Sequence, residues 1–174
     1  MISSFMGRAI PGIALVIPAL LLAGCTPAVD SAEADDLVIT EEGTVTAVID
    51  GDTIDVTTSS GDEVRVRLIG IDAPEIGRDG AASDCYAEES RAFVDELLDG
   101  QEVMLMSDRT QGDTDRYGRL LRYVLIDHHL AEDIIIGAGY ARERTYGEPY
   151  VHRDSHMAGQ RAAQIAEAGL WGHC

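Results

Sequence analysis

Two short acidic turns and two arginine segments carry the chemistry that this sequence displays. Asp50-Gly51-Asp52-Thr53 places two carboxylates one residue apart on a glycine turn, and Ile71-Asp72-Ala73-Pro74-Glu75 supplies two more. Carboxylates on short loops are hard oxygen donors that suit Ca²⁺, which takes about six to eight oxygens in loose geometry. An EF-hand is excluded, because the sixth and twelfth positions counted from Asp50 are Asp55 and Gly61 rather than Gly and Glu. Between the acidic turns, Val64-Arg65-Val66-Arg67-Leu68 alternates with period two, so both arginines share one strand face. Asp115-Arg116-Tyr117-Gly118-Arg119 brings a second arginine pair. Guanidinium forks grip phosphate bidentately and keep their charge, so two of them beside a divalent cation point to phosphoryl-transfer chemistry.

These residues need strands and turns to hold them. Thr44 to Ile49 alternates, Thr53 to Thr58 is rich in β-branched residues, and Ser59-Ser60-Gly61-Asp62 supplies a turn before Glu63 to Ile69. Asp84 is positioned to cap a helix from Cys85 to Leu98, with Gly100 as its stop. Gln101 to Met106 and Leu120 to Ile126 read as two further strands. Leu130 to Gly137 fits either period, with helix favoured. Asp154 is expected to cap a last helix that buries Met157, Ala158, Ala162, Ile165 and Ala166 and stops at Gly169. Five short strands with helices make a small β-barrel with helical additions.

With 174 residues, 45% of them hydrophobic and 25% charged, the chain has the composition of one modest globular domain. Its 13 basic residues, all arginine, face 31 acidic ones, for a net charge of −18. That balance excludes a basic nucleic-acid coat protein, and any anion must be met by a few placed cations.

Residues 1–24 read as an export signal: a positive start, an apolar stretch from Ile10 to Ala23, and the lipobox-like end Leu22-Ala23-Gly24-Cys25. Cys25 is then the acylated first mature residue, anchoring an exported protein to the outer face of the cell membrane. A plain signal peptide with an incidental cysteine is the alternative. Residues 25–36 form an acidic tether and residues 37–174 the domain. Cys85 and Cys174 remain as an even pair, either bridged, which an oxidising compartment favours, or two separate thiols.

Three blocks now stand in order: Val48 to Thr53, Arg67 to Glu75, and Asp115 to Arg119. In sequence and spacing they resemble the signature blocks of the staphylococcal nuclease (thermonuclease) family, over roughly Leu37 to Trp171. The resemblance implies an α+β fold, a five-stranded OB-fold barrel with packed helices. It also implies a Ca²⁺-dependent phosphodiesterase that cuts DNA and RNA at the 5′-oxygen bond and leaves 3′-phosphate ends; a monomer is the separate expectation for its assembly. Residue by residue, Asp52, Asp72 and the Ala73 carbonyl would ligate Ca²⁺. Glu75 would hold or deprotonate the attacking water, and Arg67 and Arg119 would grip the scissile phosphate. Arg116, Tyr117 and Tyr146 would contact substrate, while Tyr146 and Tyr150 lie where the correspondence slips and could equally be packing.

The chain departs from the family at Ala73, where Thr is usual, at Arg116, where Lys is frequent, and in its acidity. One alternative keeps the fold without catalysis, as a single-strand binder, but the complete Asp52, Asp72, Glu75, Arg67 and Arg119 set favours an enzyme. A zinc site from His152, His156, His173 and Cys174 is the other, and exposed histidines are the expectation instead.

Overall fold

The computed structural model describes residues 36–174, so the expected signal segment, Cys25 and nearly all of the tether lie outside the described residues. Among the described residues no helix is long and apolar enough to cross a membrane. The chain begins with β1 (Leu37–Asp50), longer than the alternating segment Thr44 to Ile49 suggests and broken by register shifts that bend it. It turns at Gly51-Asp52 into β2 (Thr53–Thr58), then β3 (Glu63–Leu68) and the two-residue β4 (Ile71–Asp72). After helix α1 (Ala87–Leu98) come β5 (Glu102–Asp108), β6 (Leu120–Ile126) and the short β7 (His129–Leu130). Helix α2 (Ala131–Gly137) fulfils the helical reading of that segment, and β8 (Arg142–Glu143), α3 (Arg153–Ile165) and α4 (Leu170–His173) complete the chain.

Strand order β3-β2-β1-β5-β6, closed by a parallel β3–β6 pairing, makes a five-stranded barrel with the helices packed on it. Closure leaves no long free edge in the barrel. Inside stand Val45, Ile54, Val56, Val66, Leu105 and Val124, covered by Val94 and Leu98 of α1 and by Ile135 and Ile136 of α2. Their removal from water drives the closure, at roughly 1.5–3 kcal/mol for each large side chain.

Helix α1 is placed by its contact with the β1–β2 turn. A Cβ on Gly51 would run into Ser90 and Ala73, so glycine is what lets the helix and the turn approach. The Ser90 hydroxyl donates to the Tyr140 carbonyl at 2.7 Å, and Arg91 Nε to the Val48 carbonyl at 3.2 Å. Asp84 does not cap this helix. Position Tyr86 is the N-cap, in a left-handed conformation with no side-chain cap. The Asp84 carboxylate instead accepts the Glu75 N–H at 3.1 Å, and Asp84 N–H returns to the Glu75 carbonyl at 2.9 Å. Those bonds pinch residues 75–84 into a loop with adjoining ends. Cys85 and Cys174 form a disulfide with Cα atoms 6.0 Å apart, fastening the C-terminus to the start of α1.

Helix α3 corrects two expectations. Its N-cap is His152, while the Asp154 side chain is 99% exposed, and Ala158, Ala162, Ile165 and Ala166 face outward. The buried face is His156 and Ala163. A histidine can occupy that face because it is neutral there: its Nδ1 lies 3.1 Å from the Tyr150 hydroxyl, and burial, the main influence, pulls the imidazole down to about 4. Asp133 opposes that shift while His152 adds to it. His156 is therefore not an exposed histidine, and His152 is half-buried against Tyr123.

Because the folded value lies below the ordinary 6.5, the unfolded chain binds the proton first as pH falls. Stability contributed by neutral His156 should be complete above pH 6.5 and should decline by about 3 kcal/mol toward pH 4. Urea midpoints across that range should show the decline in the wild type and a flatter profile in His156→Gln.

Candidate active site

The site is organised by Arg67, the last but one residue of β3, opposite Thr53 in the β2–β3 register. Its guanidinium is almost fully buried. Nη1 donates to the carbonyls of Leu68 at 2.9 Å and Ile71 at 2.8 Å, closing the turn after β3. Nη2 lies 2.8 Å from Asp52 Oδ2 and 3.6 Å from Asp72 Oδ1. One cation thus joins the β1–β2 turn to the β3–β4 turn. Asp52 Oδ2 also accepts the Ala73 N–H at 2.9 Å, and Asp52 Oδ1 accepts the Thr53 hydroxyl at 3.0 Å.

Arg119 reaches the same turn from the other side. Its Nη1 donates to Thr53 Oγ1 at 3.2 Å, and its Nε donates to Asp115 Oδ2 at 2.7 Å. Asp115 is a preorganised holder: burial alone would raise its carboxyl, but hydrogen bonds from the Arg119 side chain and from the Arg119 and Tyr117 N–H groups outweigh burial and hold it low. Tyr117 is 68% exposed, with Arg116 stacked 4.7 Å and Arg119 5.3 Å from its ring centroid. That presents a flat, cationic rim.

A third segment approaches Asp72. Strand β8 pairs with β4, setting Arg142 opposite Asp72, and the Arg144 N–H donates to the Gly70 carbonyl at 2.9 Å. The Tyr146 hydroxyl donates to Asp72 Oδ1 at 3.0 Å from an exposed ring that carries Arg144 at 5.2 Å. Burial first, then the Asp72 charge, raises the Tyr146 phenol, so it stays a donor. Tyr150 is at 4% exposure and lies against Gly70, whose φ of +79° and contact with the Tyr150 ring exclude a side chain. Of the two tyrosines left open by the sequence, Tyr146 stands at the site and Tyr150 braces it from beneath. Glu75 is exposed and, like Arg119, lines a groove.

Charge decides whether the implied cation suits these residues. Asp52 and Asp72 share one buried guanidinium, and Asp50, which accepts the Asp52 N–H at 3.2 Å, adds a third carboxylate beside them with Arg78 3.6 Å away. Burial pushes the Asp52 carboxyl up to about 7; Arg67 opposes this and Asp50 adds to it. A buried carboxylate short of positive charge, beside a second carboxylate, is a hard-oxygen donor set that fits Ca²⁺. Among the described residues no group of three or more His, Cys, Asp or Glu side chains gathers for a metal, and the implied set uses only two carboxylates, with a backbone carbonyl. The zinc alternative has no such group either: His156 lies in the core, and His173 Nδ1 is 2.8 Å from the Gly169 carbonyl oxygen.

The sequence reading passed over two residues. Thr53, which connects Arg119 to Asp52, has no signal beyond its place after the acidic pair. Asp115 could have been found, since it stands four residues before Arg119, within reach of a local ion pair.

Comparison with known proteins finds relatives over most of this domain. Residues 65–173 match the family described as staphylococcal nuclease homologue. A thermonuclease of Staphylococcus hyicus is 32% identical over 127 residues, covering 73% of both chains. A thermonuclease of Staphylococcus intermedius is 34% identical over 73% of this chain and 74% of its own. The endonuclease YncB of Bacillus subtilis is 30% identical over 74% of this chain and 60% of its own.

Removing the Arg67 guanidinium would leave Asp52 buried without its partner. Arg67→Ala should therefore lower the free energy of unfolding by about 3–5 kcal/mol, read as a shift of the urea midpoint. A shift within error would contradict the central place given to this side chain.

Proposed function

The chain belongs to the staphylococcal nuclease family, and from that premise we propose that it is a Ca²⁺-dependent endonuclease acting on DNA, RNA or both. It hydrolyses the 5′-oxygen bond and leaves 3′-phosphate ends. The observation that carries this reading is the convergence of Arg67 and Arg119, from separate blocks, on the single Asp52-Thr53 turn.

Water attacking a phosphodiester builds negative charge on the non-bridging oxygens. Fixed guanidiniums stabilise that charge without reorganising during the reaction. Arg119, whose Nε and Nη2 are held by Asp115, aims its Nη1 end at the Thr53 turn, while Arg67 sets its Nη2 between Asp52 and Asp72. Asp52, Asp72 and the Ala73 carbonyl hold Ca²⁺, which when bound supplies Lewis-acid stabilisation of the phosphoryl oxygens. Glu75, exposed in the groove lining, receives or orients the water proton. Arg116, Tyr117 and Tyr146 flank this centre as substrate contacts.

We also place the enzyme outside the cytoplasm, as a monomer tethered by lipid on Cys25 with residues 1–24 removed and 37–174 as the working domain. The disulfide between Cys85 and Cys174 supports export to an oxidising space.

Single-stranded DNA incubated with Ca²⁺ should be cut to 3′-phosphate products, and excess chelator should abolish cutting; full activity in chelator, or rescue by zinc alone, would refute the metal assignment. Arg119→Lys keeps the charge but loses the fork, so turnover should fall by orders of magnitude with the thermal midpoint little changed. For the anchor, Cys25→Ser should abolish the lipid mass increment and membrane partition, and unchanged partition would rule it out.

A further inference from the structure

A groove of about 620 Å³ borders the reacting centre, a volume in the range of small-molecule sites. Glu75 and Arg119 are among its lining residues. One side is the pinched loop 75–84, and the other is made by the end of β1, Thr53, Arg65 and the Tyr117–Arg119 segment. Tyr117 lines it beside Arg119, whereas Tyr146, on Asp72, is not among its walls, so of the proposed substrate contacts Tyr117 alone reaches it and the far wall has no assigned role.

The chemistry of the walls is divided. Ile49, Ile76 and Ala81 offer apolar surface, while Arg65 and Arg78 add two guanidiniums beyond Arg119, in a chain whose net charge is −18. Asp50, Glu75 and Asp84 also line the groove, so a polyanion is held there only through the arginines. These differ in their commitments. Arg65 is paired bidentately with Asp55, its cross-strand neighbour, at 2.7 and 2.8 Å. Arg119 is locked to Asp115. Arg78 touches Asp50 only at 3.6 Å, beyond good hydrogen-bond range, with 64% of its side chain exposed. Its donors are available at little desolvation cost.

We infer that this groove seats the nucleotide flanking the scissile phosphodiester, with Arg78, seconded by Arg65, on that nucleotide's outer phosphate and the apolar wall under its base. This rests on the nuclease reading above. Ile49, Ile76 and Ala81 carry no side-chain donor or acceptor to read a base edge, so the groove senses strand length rather than sequence. Arg78 is here a binding residue, separate from the groups that act on the reacting phosphate.

The test is equilibrium binding of fluorescent single-stranded DNA, a dinucleotide against a hexanucleotide, with saturating Ca²⁺ and varied NaCl. It uses the Glu75→Gln protein with and without Arg78→Ala. Arg78→Ala should weaken the hexanucleotide about fivefold at low salt and reduce the slope of log affinity against log salt by about 0.7, the value of one phosphate contact on a single strand. Dinucleotide binding should not change, and Arg78→Lys should restore the slope. An unchanged hexanucleotide affinity and slope, or equal losses on both lengths, would overturn the subsite. Wild-type digestion of the same hexanucleotide separates the two readings. A strand that binds with the expected Arg78 dependence but is never cut upholds the groove and refutes the nuclease assignment. A strand that is cut with no Arg78 dependence does the reverse.

Discussion

The arrangement depends on one buried guanidinium. Arg67 satisfies two backbone carbonyls and the Asp52 carboxylate and stands 3.6 Å from Asp72 on a different turn, and no other side-chain type offers that many donors in a plane with a permanent charge. Neither turn could keep its shape unaided. The β1–β2 turn carries Asp50 and Asp52 in close contact, and the segment after β3 leaves the Leu68 and Ile71 carbonyls facing inward. Arg67 answers both needs, so the fold's local satisfaction and the site's convergence come from the same contacts.

Around this centre the helices and the late loop act as buttresses. Ser90 of α1 rests on the Gly51 turn and donates to Tyr140, tying the turn to the segment after α2. The stretch from Arg142 to Tyr150 straps the far side: β8 pairs with β4, Arg144 bonds Gly70, and the Tyr150 ring closes over Gly70. The Tyr150 hydroxyl lies 3.2 Å from both the Gly70 carbonyl oxygen and Glu143 Oε1, with His156 behind it. Asp72 is thus carried on a segment fixed from above by Arg67 and from below by Tyr150. The disulfide and the stacking of Tyr86 on His173 and Tyr140 extend the same bracing to the C-terminus.

A strongly acidic protein that handles a polyanion must keep its cations where they count. Several of the arginines named here are already engaged by acids, as Arg65 is by Asp55, Arg119 by Asp115 and Arg122 by Glu41 and Asp113. Such pairs contribute little affinity for a strand at a distance, but they fix guanidinium positions at short range. Localised cations rather than a basic surface then define where a phosphate can rest.

Sequence alone determined the five main strands and the three blocks that hold the chemistry, because strand alternation, turn residues and carboxylate and arginine spacing are local properties, while residues 131–137 fitted either period until packing made them a helix. Asp52, Arg67, Asp72, Glu75 and Arg119 could be named from them. Tertiary structure decided which of these meet and how. Asp84 could cap a helix or bridge to Glu75, and the loop geometry chose the latter. His156 could be polar and exposed or neutral and buried, and its packing against Tyr150 settled it. Tyr146 and Tyr150 are the same residue type four positions apart, yet one donates to Asp72 and the other supports Gly70. Burial, partner identity and protonation depend on neighbours distant in the chain, and only closure of the barrel brings those neighbours together.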